Sequence, residues 1–198
     1  MEQPTSTFHL FDRVKNGDRG AVSVLIDRHR RRLAVMAYYR LGPHLRGLVE
    51  VDDILQETLL KAYQQLDQFT YRGPGSFLGW LSLIMNHVIA DAARYHGRQK
   101  RNAGEMLPLR SDSVPGGVEP VDTQTPSRII ARDENLRIVL QALDGLPEEY
   151  REVILLARIE GLSTKEVAER MGKTREAVSL LLHRATRRFK QIMGERNL

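Results

Sequence analysis

The sequence predicts an all-α protein in which two helical domains are joined by an extended linker. Apolar residues recur at helical spacing in both halves of the chain, and an alternating strand pattern appears nowhere with comparable strength. Residues 103–127 separate the halves and hold four of the eight prolines together with the pair Gly116-Gly117. Such a stretch cannot hold a helix and has little to bury, so we expect a linker there.

Charge follows the same division of the chain. Residues 1–102 carry a net charge of +5, residues 103–127 a net charge of −3, and residues 128–198 a net charge of +3. Net basic charge favours an anionic partner such as nucleic acid or a membrane surface, without choosing between them. The chain has no cysteine, which excludes disulfides, cysteine-ligated zinc and thiol nucleophiles.

The amino terminus does not read as a signal peptide. Residues 1–5 contain no basic segment that leads into an apolar one. The uninterrupted apolar run at 153–157 is far too short to span a bilayer. We therefore expect a cytoplasmic protein that is not inserted in a membrane.

The first domain, residues 8–102, opens with an apolar stripe that runs from Val22 to Ala37 at helical spacing. The pair Gly42-Pro43 ends this stripe. His29 falls on the stripe, so we expect it to be packed in the core.

Two more helices follow in this domain. One covers residues 51–66, and Asp53 with Gln56 fits a capping box at its start. The other begins at Ser76 and should place a set of apolar residues on one face: Phe77, Trp80, Leu81, Ile84, Val88 and Tyr95.

The second domain, residues 128–198, also reads as helical. The segment 146–149 has a proline followed by two glutamates, which suits the first turn of a helix. That helix should continue to about Glu160, with Gly161 as its stop.

Two shorter signals then predict a helix-turn-helix. Ser163 and Glu166 form a capping box for a helix that ends at Gly172. Thr174 can cap a longer helix that runs through Phe189. Two helices joined by a tight glycine turn are typical of this motif.

Packing residues and charge strengthen that prediction. Ala168, Gly172, Val178 and Leu181 have the spacing needed to dock the second helix on the first. Residues 174–190 carry a net charge of +4 from Arg175, Arg184, Arg187, Arg188 and Lys190 against Glu176. A solvated basic helix in a small bundle is the alternative, and the coincidence of turn chemistry with charge placement favours DNA binding.

Both domains resemble regions of the sigma-70 family of RNA polymerase sigma factors. The second domain resembles region 4 through Leu146-Pro147-Glu148, Gly161-Leu162-Ser163, Glu166-Val167-Ala168, Met171-Gly172, Ala177-Val178 and His183-Arg184-Ala185. The first resembles region 2 through Val51 to Thr58, Phe69, Phe77 to Leu81, Ile84-Met85-Asn86 and Asp91. With regions 2 and 4 alone, the chain is similar to extracytoplasmic-function (ECF) sigma factors. Lys173 departs from the family, which usually has an apolar residue after the turn glycine.

The resemblance implies a polymerase-binding surface in the first domain. In the family, the segment that matches Asp52 to Glu57 docks on the beta-prime clamp helices of core RNA polymerase. The implied docking residues are Asp52, Asp53, Ile54, Gln56 and Glu57. A metal or acid–base role for these carboxylates is the alternative, but no histidine or third carboxylate follows at useful spacing. The arginines within 28–32 could face solvent, phosphates or polymerase.

A glycine-rich loop at 69–76 is flanked by aromatic residues and carries Arg72. Aromatic rings beside a basic group suit unpaired bases, and in similar sigma factors this loop captures a base flipped from the melted promoter. We expect Phe69, Arg72 and Trp80 to take part, although Phe77 and Trp80 also fit a core role. Asn86 should be exposed and could read a base edge through paired hydrogen bonds.

The remaining predicted DNA contacts are basic or polar. Arg94, with Arg98, Lys100 and Arg101, would lie near phosphates or would merely solvate a helix end. In the helix-turn-helix, Arg175 and Glu176 are the best candidates for base contact, and Arg187 and Arg188 for phosphates. The full set expected there is Thr174, Arg175, Glu176, Ser179, His183, Arg184, Arg187 and Arg188.

Together these features predict a promoter-specificity subunit with no catalysis of its own and no metal or other cofactor. Its expected partners are core RNA polymerase, through the beta-prime clamp and the beta flap, and promoter DNA at the minus-ten and minus-thirty-five elements. An anti-sigma factor is a further candidate partner. The acidic linker is similar to the family segment that threads toward the polymerase active-site channel. The alternatives are a stand-alone helix-turn-helix regulator and a DNA-processing enzyme; the enzyme would need a nucleophile or carboxylate cluster that the first domain lacks.

Overall fold

The computed structural model describes residues 7–16, 18–73, 75–105 and 128–195, and within them every regular element is helical, which confirms the all-α prediction. The helices are α1 (Thr7–Lys15), α2 (Arg19–Arg46), α3 (Val51–Gln64), α4 (Ser76–Glu105), α5 (Arg128–Arg132), α6 (Glu134–Asp144), α7 (Glu148–Ile154), α8 (Thr164–Met171) and α9 (Arg175–Glu195). Helix α4 ends three residues inside the stretch predicted as linker, and residues 106–127 of that stretch lie outside the described residues.

The first domain is a bundle in which α1 packs on α2, and α2, α3 and α4 pack on one another. Leu25, Leu33, Ile54, Leu81 and Met85 are fully or almost fully buried between these helices. The helical path of α2 is interrupted at Gly42, whose φ of 63° and ψ of 168° are not helical, and a second helical segment continues from Pro43 to Arg46. The predicted stop at Gly42-Pro43 is therefore confirmed as a break in the helix.

Two predictions for this domain are wrong. No capping box forms at Asp53, because α3 begins at Val51 with Glu50 as its N-cap and Asp53 already lies in the first turn. Tyr95 is 59% exposed, so it does not belong to the buried stripe of α4. The other residues of the predicted α4 stripe are buried or half-buried, and His29 is buried as expected.

Helix α4 is also the one helix within the described residues that is long and apolar enough to cross a membrane, over Ser76–Arg98. That criterion considers only the length and the amino-acid composition of the helix. Here Leu81, Met85 and Val88 are buried against α2 and α3. These buried residues of α4 therefore belong to the core of the first domain, whereas Leu83 on the same helix is 61% exposed.

The second domain packs α6, α7 and α8 against α9. Helix α7 continues as a π-helical turn, Leu155–Glu160, which Gly161 ends in the left-handed conformation at φ 78°. The capping box of Ser163 and Glu166 is present as predicted. Helix α9 extends to Glu195, beyond the predicted end at Phe189.

The two domains are in contact. Helix α2 packs against α6 and against the π-helical turn, and α4 also reaches that turn. Apart from Asp52, the residues that make polar contacts across this boundary are ones that the sequence did not assign to a site.

Candidate nucleic-acid and polymerase interface

The helix-turn-helix is assembled by small apolar contacts between α8 and α9. Val167 and Val178 are completely buried and Ala168 is 5% exposed. Gly172 closes the turn with φ 63°, a conformation that favours glycine. The hydroxyl of Thr174 then accepts a hydrogen bond from the Ala177 amide at 3.2 Å and caps α9, as predicted.

Lys173, the residue that departs from the family pattern, has a partner in the second domain. Its ammonium lies 2.7 Å from the Glu149 carboxylate in the first turn of α7. Both side chains are partly exposed, so the ion pair contributes little to stability. The ion pair connects the turn to α7 through charge, where the family usually has an apolar residue.

The outer face of α9 is exposed and basic. Every residue of the predicted DNA-binding set in this domain has an exposed side chain: Thr174, Arg175, Glu176, Ser179, His183, Arg184, Arg187 and Arg188. Over the described part of the chain, no ion pair joins Arg175, Arg184 or Arg187 to a carboxylate. Their charges are therefore available to an anionic ligand.

The aromatic loop of the first domain is built on a buried ring. Phe69 is 6% exposed, and its ring centroid lies 4.9 Å from that of Phe11 and 5.1 Å from that of Trp80. Trp80 is half-buried above it, and Arg72 is exposed. The structure thus places Phe69 beneath the surface and leaves Trp80 and Arg72 on it.

Ser76 organises the carboxyl end of this loop at the start of α4. Its hydroxyl donates to the Gly73 carbonyl at 2.7 Å and accepts from the Arg72 amide at 3.2 Å. Gly73 and Gly75 both have positive φ, at 119° and 85°, so the tight path of the loop depends on glycine. Pro74 lies outside the described residues.

Asn86 is exposed on α4, as predicted, but it is not free. Its Oδ1 accepts a hydrogen bond from Nη1 of Arg40 at 3.0 Å. About two turns further along α4, Arg94 is hydrogen-bonded to Asp91, and this bond holds the pKa of the Asp91 carboxyl below its usual value. Arg94 therefore already has an acidic neighbour.

The predicted polymerase-docking segment forms the first two turns of α3. Asp53 and Gln56 are exposed, whereas Ile54 is 2% exposed and packs in the core. Asp52 is half-buried and accepts a hydrogen bond from the Ile129 amide of α5 at 3.2 Å. Glu57 is ion-paired with Lys61 on the next turn, at 2.9 Å.

A cleft of about 690 Å³ separates this segment from the second domain. Asp53 and Gln56 line it on one side, and Arg132 and Asp133 on the other. The docking segment therefore borders a polar cleft at the boundary between the domains.

Sequence reasoning missed the arginines that join the domains. Arg31 lies 2.6 Å from Asp133, and Arg32 donates from Nε to the Ile159 carbonyl at 2.9 Å and from Nη2 to the Arg158 carbonyl at 3.1 Å. Arg32 thus caps the end of the π-helical turn, and its burial lowers its pKa. The arginine run was visible in the sequence, but nothing in its spacing pointed to these partners.

The pKa of Asp133 shows the electrostatic effect of the contact between the two domains. Burial acts to raise the pKa of its carboxyl, but hydrogen bonds from Arg31 and from the Leu136 amide outweigh burial and hold the pKa below the usual value. The same carboxylate is the N-cap of α6. It therefore serves both the local helix and the contact with α2.

Comparison with known proteins agrees with the geometry of both domains. Residues 25–99 match the family described as Sigma-70 region 2, and residues 136–189 match the family described as Sigma-70, region 4. The chain is 31% identical over 199 residues to the ECF RNA polymerase sigma factor SigE of Mycolicibacterium smegmatis, covering 98% of this chain and 70% of that protein. It is 28% identical to the ECF RNA polymerase sigma-E factor of Haemophilus influenzae, covering 82% of each chain.

Solved structures with a similar chain include two protein complexes. One is described as CnrH in complex with the cytosolic domain of CnrY, with 26% identity, a TM-score of 0.44, and coverage of 94% of this chain and 96% of that one. The other is the sigma factor RpoE with the anti-sigma factor NepR from Bartonella quintana, with 19% identity, a TM-score of 0.42, and coverage of 91% and 98%. On its region 2 and region 4 matches and its identity to curated relatives, the chain belongs to the ECF group of sigma-70 family RNA polymerase sigma factors.

Proposed function

We propose that residues 8–102 bind core RNA polymerase and the minus-ten element, and that residues 128–198 bind the minus-thirty-five element. The chain is a sigma factor, so promoter-specific initiation is its function. What we propose is which of its surfaces bind polymerase and which bind promoter DNA. The observation that carries it is that two separate basic or aromatic surfaces are exposed, one in each domain. A protein that only bound duplex DNA through α9 would not need the surface in the first domain.

For the minus-thirty-five element, α9 enters the major groove with its amino-terminal end. Arg175 can donate two hydrogen bonds to guanine and Glu176 can accept from cytosine. Arg187 and Arg188 lie three turns later, where the helix leaves the groove and approaches phosphates. The exposure of Arg175, Glu176, Arg187 and Arg188 supports these roles.

For the minus-ten element, Trp80 and Arg72 present a ring and a positive charge beside the loop at 69–76. This combination suits an unstacked base and its phosphate. Because Phe69 lies beneath Trp80, we assign it the support of that ring rather than direct stacking. Asn86 reads a base edge from α4, and Arg94 approaches a phosphate.

For polymerase, Asp53 and Gln56 offer the exposed part of the docking segment to the beta-prime clamp. Ile54 holds α3 in the core, while Asp52 and Glu57 border the surface. The second domain would contact the beta flap. The linker path toward the active-site channel, the anti-sigma partner, the absence of catalysis and the cytoplasmic location stay predictions.

Run-off transcription tests the proposal directly. Core polymerase with this protein should start transcripts at a defined position on promoter DNA selected by the complex from a random library, and core polymerase alone should not. Arg175→Ala should alter only the upstream element of the selected promoter, and Trp80→Ala only the downstream one. DNA binding by the protein without polymerase-dependent initiation would instead indicate a stand-alone regulator.

A further inference from the structure

Arg40 lies where α2 meets α4 and the second domain, and its side chain is only 15% exposed. From Nη1 it donates to Oδ1 of Asn86 at 3.0 Å and to the Ser82 carbonyl at 3.2 Å. From Nη2 it donates to the Ser82 hydroxyl at 2.7 Å and pairs with Glu160 at 2.9 Å. Four oxygen atoms therefore fix the plane of one guanidinium group.

The chemistry of this contact determines how Asn86 is oriented. A guanidinium group has only donors, whereas an amide has one oxygen that accepts and one NH₂ group that donates. Rotating the Asn86 amide by half a turn would place NH₂ against the donors of Arg40. Arg40 therefore admits only the oxygen and leaves the NH₂ group of Asn86 directed elsewhere.

We propose that Arg40 is a positioning residue for recognition of the minus-ten element, because it holds Asn86 with its two N–H donors toward the nucleic acid. This inference rests on the proposed function, in which Asn86 reads a base edge. An amide held in this way favours a base edge whose acceptors have no donor beside them, such as O4 of thymine or O6 and N7 of guanine. The expectation from the sequence, paired hydrogen bonds from Asn86 to a base edge, would use both the NH₂ group and the oxygen that Arg40 engages.

The contact between Arg40 and Asn86 lies wholly within the first domain. Glu160 approaches Arg40 from the second domain and is itself 11% exposed, with Arg170 at 3.7 Å as its other cation. Glu160→Gln therefore removes the ion pair and leaves the bonds from Arg40 to Ser82 and Asn86 in place. Arg40→Gln removes the ion pair with Glu160 and also the guanidinium group that donates to Ser82 and Asn86. This pair of variants separates a positioning role from a role in joining the domains.

The test is run-off transcription by holoenzyme assembled from core polymerase and the full-length protein. The template is the promoter selected from the random library, with each of the four bases placed at every position of the minus-ten element. Asn86→Ala, Arg40→Gln, their double variant and Glu160→Gln are compared with wild type, and thermal unfolding monitors the fold of each.

We expect Asn86→Ala to reduce the base preference at one position by about fivefold or more, the size of a lost base contact. Arg40→Gln should reduce the preference at that same position, and the double variant should reduce it no further than Asn86→Ala alone. Glu160→Gln should leave the preference unchanged. Arg40→Lys, which keeps a donor-only head group, should retain more of the preference than Arg40→Gln.

Several results would overturn the proposal. Equal weakening of all sequences by Arg40→Gln would make Arg40 a structural or phosphate-binding residue, and an effect at a position that Asn86→Ala does not touch would make it a direct reader. The same change in Glu160→Gln would trace it to the domain boundary. Unchanged preference in Asn86→Ala, with normal initiation, would remove the reader itself, whereas no initiation by the wild-type protein would refute the proposed function.

Discussion

The hydroxyl of Tyr39 on α2 donates to the Asp144 carboxylate at the end of α6, at 2.8 Å and across 105 residues of sequence. Arg151 joins them, at 3.5 Å from Asp144 and with its guanidinium 5.8 Å from the centre of the Tyr39 ring. Burial raises the pKa of the Tyr39 phenol well above its usual value, and the hydrogen bond to Asp144 adds to this effect. Tyr39 therefore stays protonated and acts as a donor between the domains.

Removal of that hydroxyl tests how strongly it stabilises the structure. Tyr39→Phe should lower the free energy of unfolding by about 0.5–1.5 kcal/mol, the usual contribution of one hydrogen bond, because Asp144 keeps Arg151. Urea unfolding of the full-length protein measures the change. Tyr63→Phe, at a tyrosine that is 53% exposed, is the control and should have little effect. Equal losses in both variants would mean that the contact with Asp144 contributes nothing.

Arg32 should contribute more, because it hydrogen-bonds two carbonyls from a partly buried position. Arg32→Ala should cost roughly 1.5–3 kcal/mol of unfolding free energy, as is typical for hydrogen bonds to a charged group. Arg30→Ala removes an exposed ion pair with Asp27 from the same helix and should cost less than about 0.5 kcal/mol. Similar losses for the two arginines would show that the cap on the π-helical turn is not stabilising.

His29 should make the stability of the first domain depend on pH. Burial, followed by the charges of Arg32 and Arg28, lowers its pKa from 6.5 to about 4. Among the described residues neither ring nitrogen has a hydrogen-bond partner. Between these two pH values the unfolded chain binds a proton that the folded chain does not, so stability falls as pH decreases from about 6.5 toward 4.

The measurement is urea unfolding from pH 7.5 to 4.5 for the wild type and for His29→Leu. The wild-type curve should lose up to about 1.4 kcal/mol per pH unit more than the variant below pH 6.5, and the difference should be flat above it. Parallel curves across the whole range would mean that His29 titrates alike in the folded and unfolded states.

Promoter binding by α9 should separate base readers from phosphate binders. In holoenzyme, Arg175→Ala should cost on the order of 1–3 kcal/mol at the preferred sequence and relax the preference at one base pair. Arg188→Ala should weaken all sequences alike and reduce the log–log salt slope by roughly 0.9. Binding to a promoter panel at several salt concentrations distinguishes them. The opposite pattern would mean that the helix sits differently in the groove.

Core polymerase binding should depend on the exposed part of the docking segment. Asp53→Arg should weaken assembly of the holoenzyme on the order of tenfold, because it reverses a charge at the interface, and Gln56→Ala should weaken it less. Asp67→Arg reverses another exposed acidic residue outside the segment and is the control. Fluorescence titration with core polymerase gives the affinities, and circular dichroism should show unchanged helix content. Equal effects of Asp53→Arg and Asp67→Arg would point to net charge alone.

The elements that the sequence predicted well are those decided by neighbouring residues. Gly161 and Gly172 end helices because glycine takes the left-handed conformation, and Ser163 caps α8 because Glu166 is three residues away. The prediction for Asp53 was wrong for a related reason: two overlapping helix starts were possible, and the packing of Val51 selected the earlier one.

The sequence by itself thus determined the long helices of both domains, the helix ends at Gly161 and Gly172 and the exposed face of α9, since local spacing and charge decide all three. Only the tertiary structure decided which partner each buried polar group would have. Arg32, Tyr39 and Arg40 contact groups that lie 127, 105 and 46 residues away, and no local pattern encodes such pairings. Asn86 shows the difference most directly: helical spacing exposes it, but the direction of its amide is set by Arg40, which packing of α2 on α4 brings beside it.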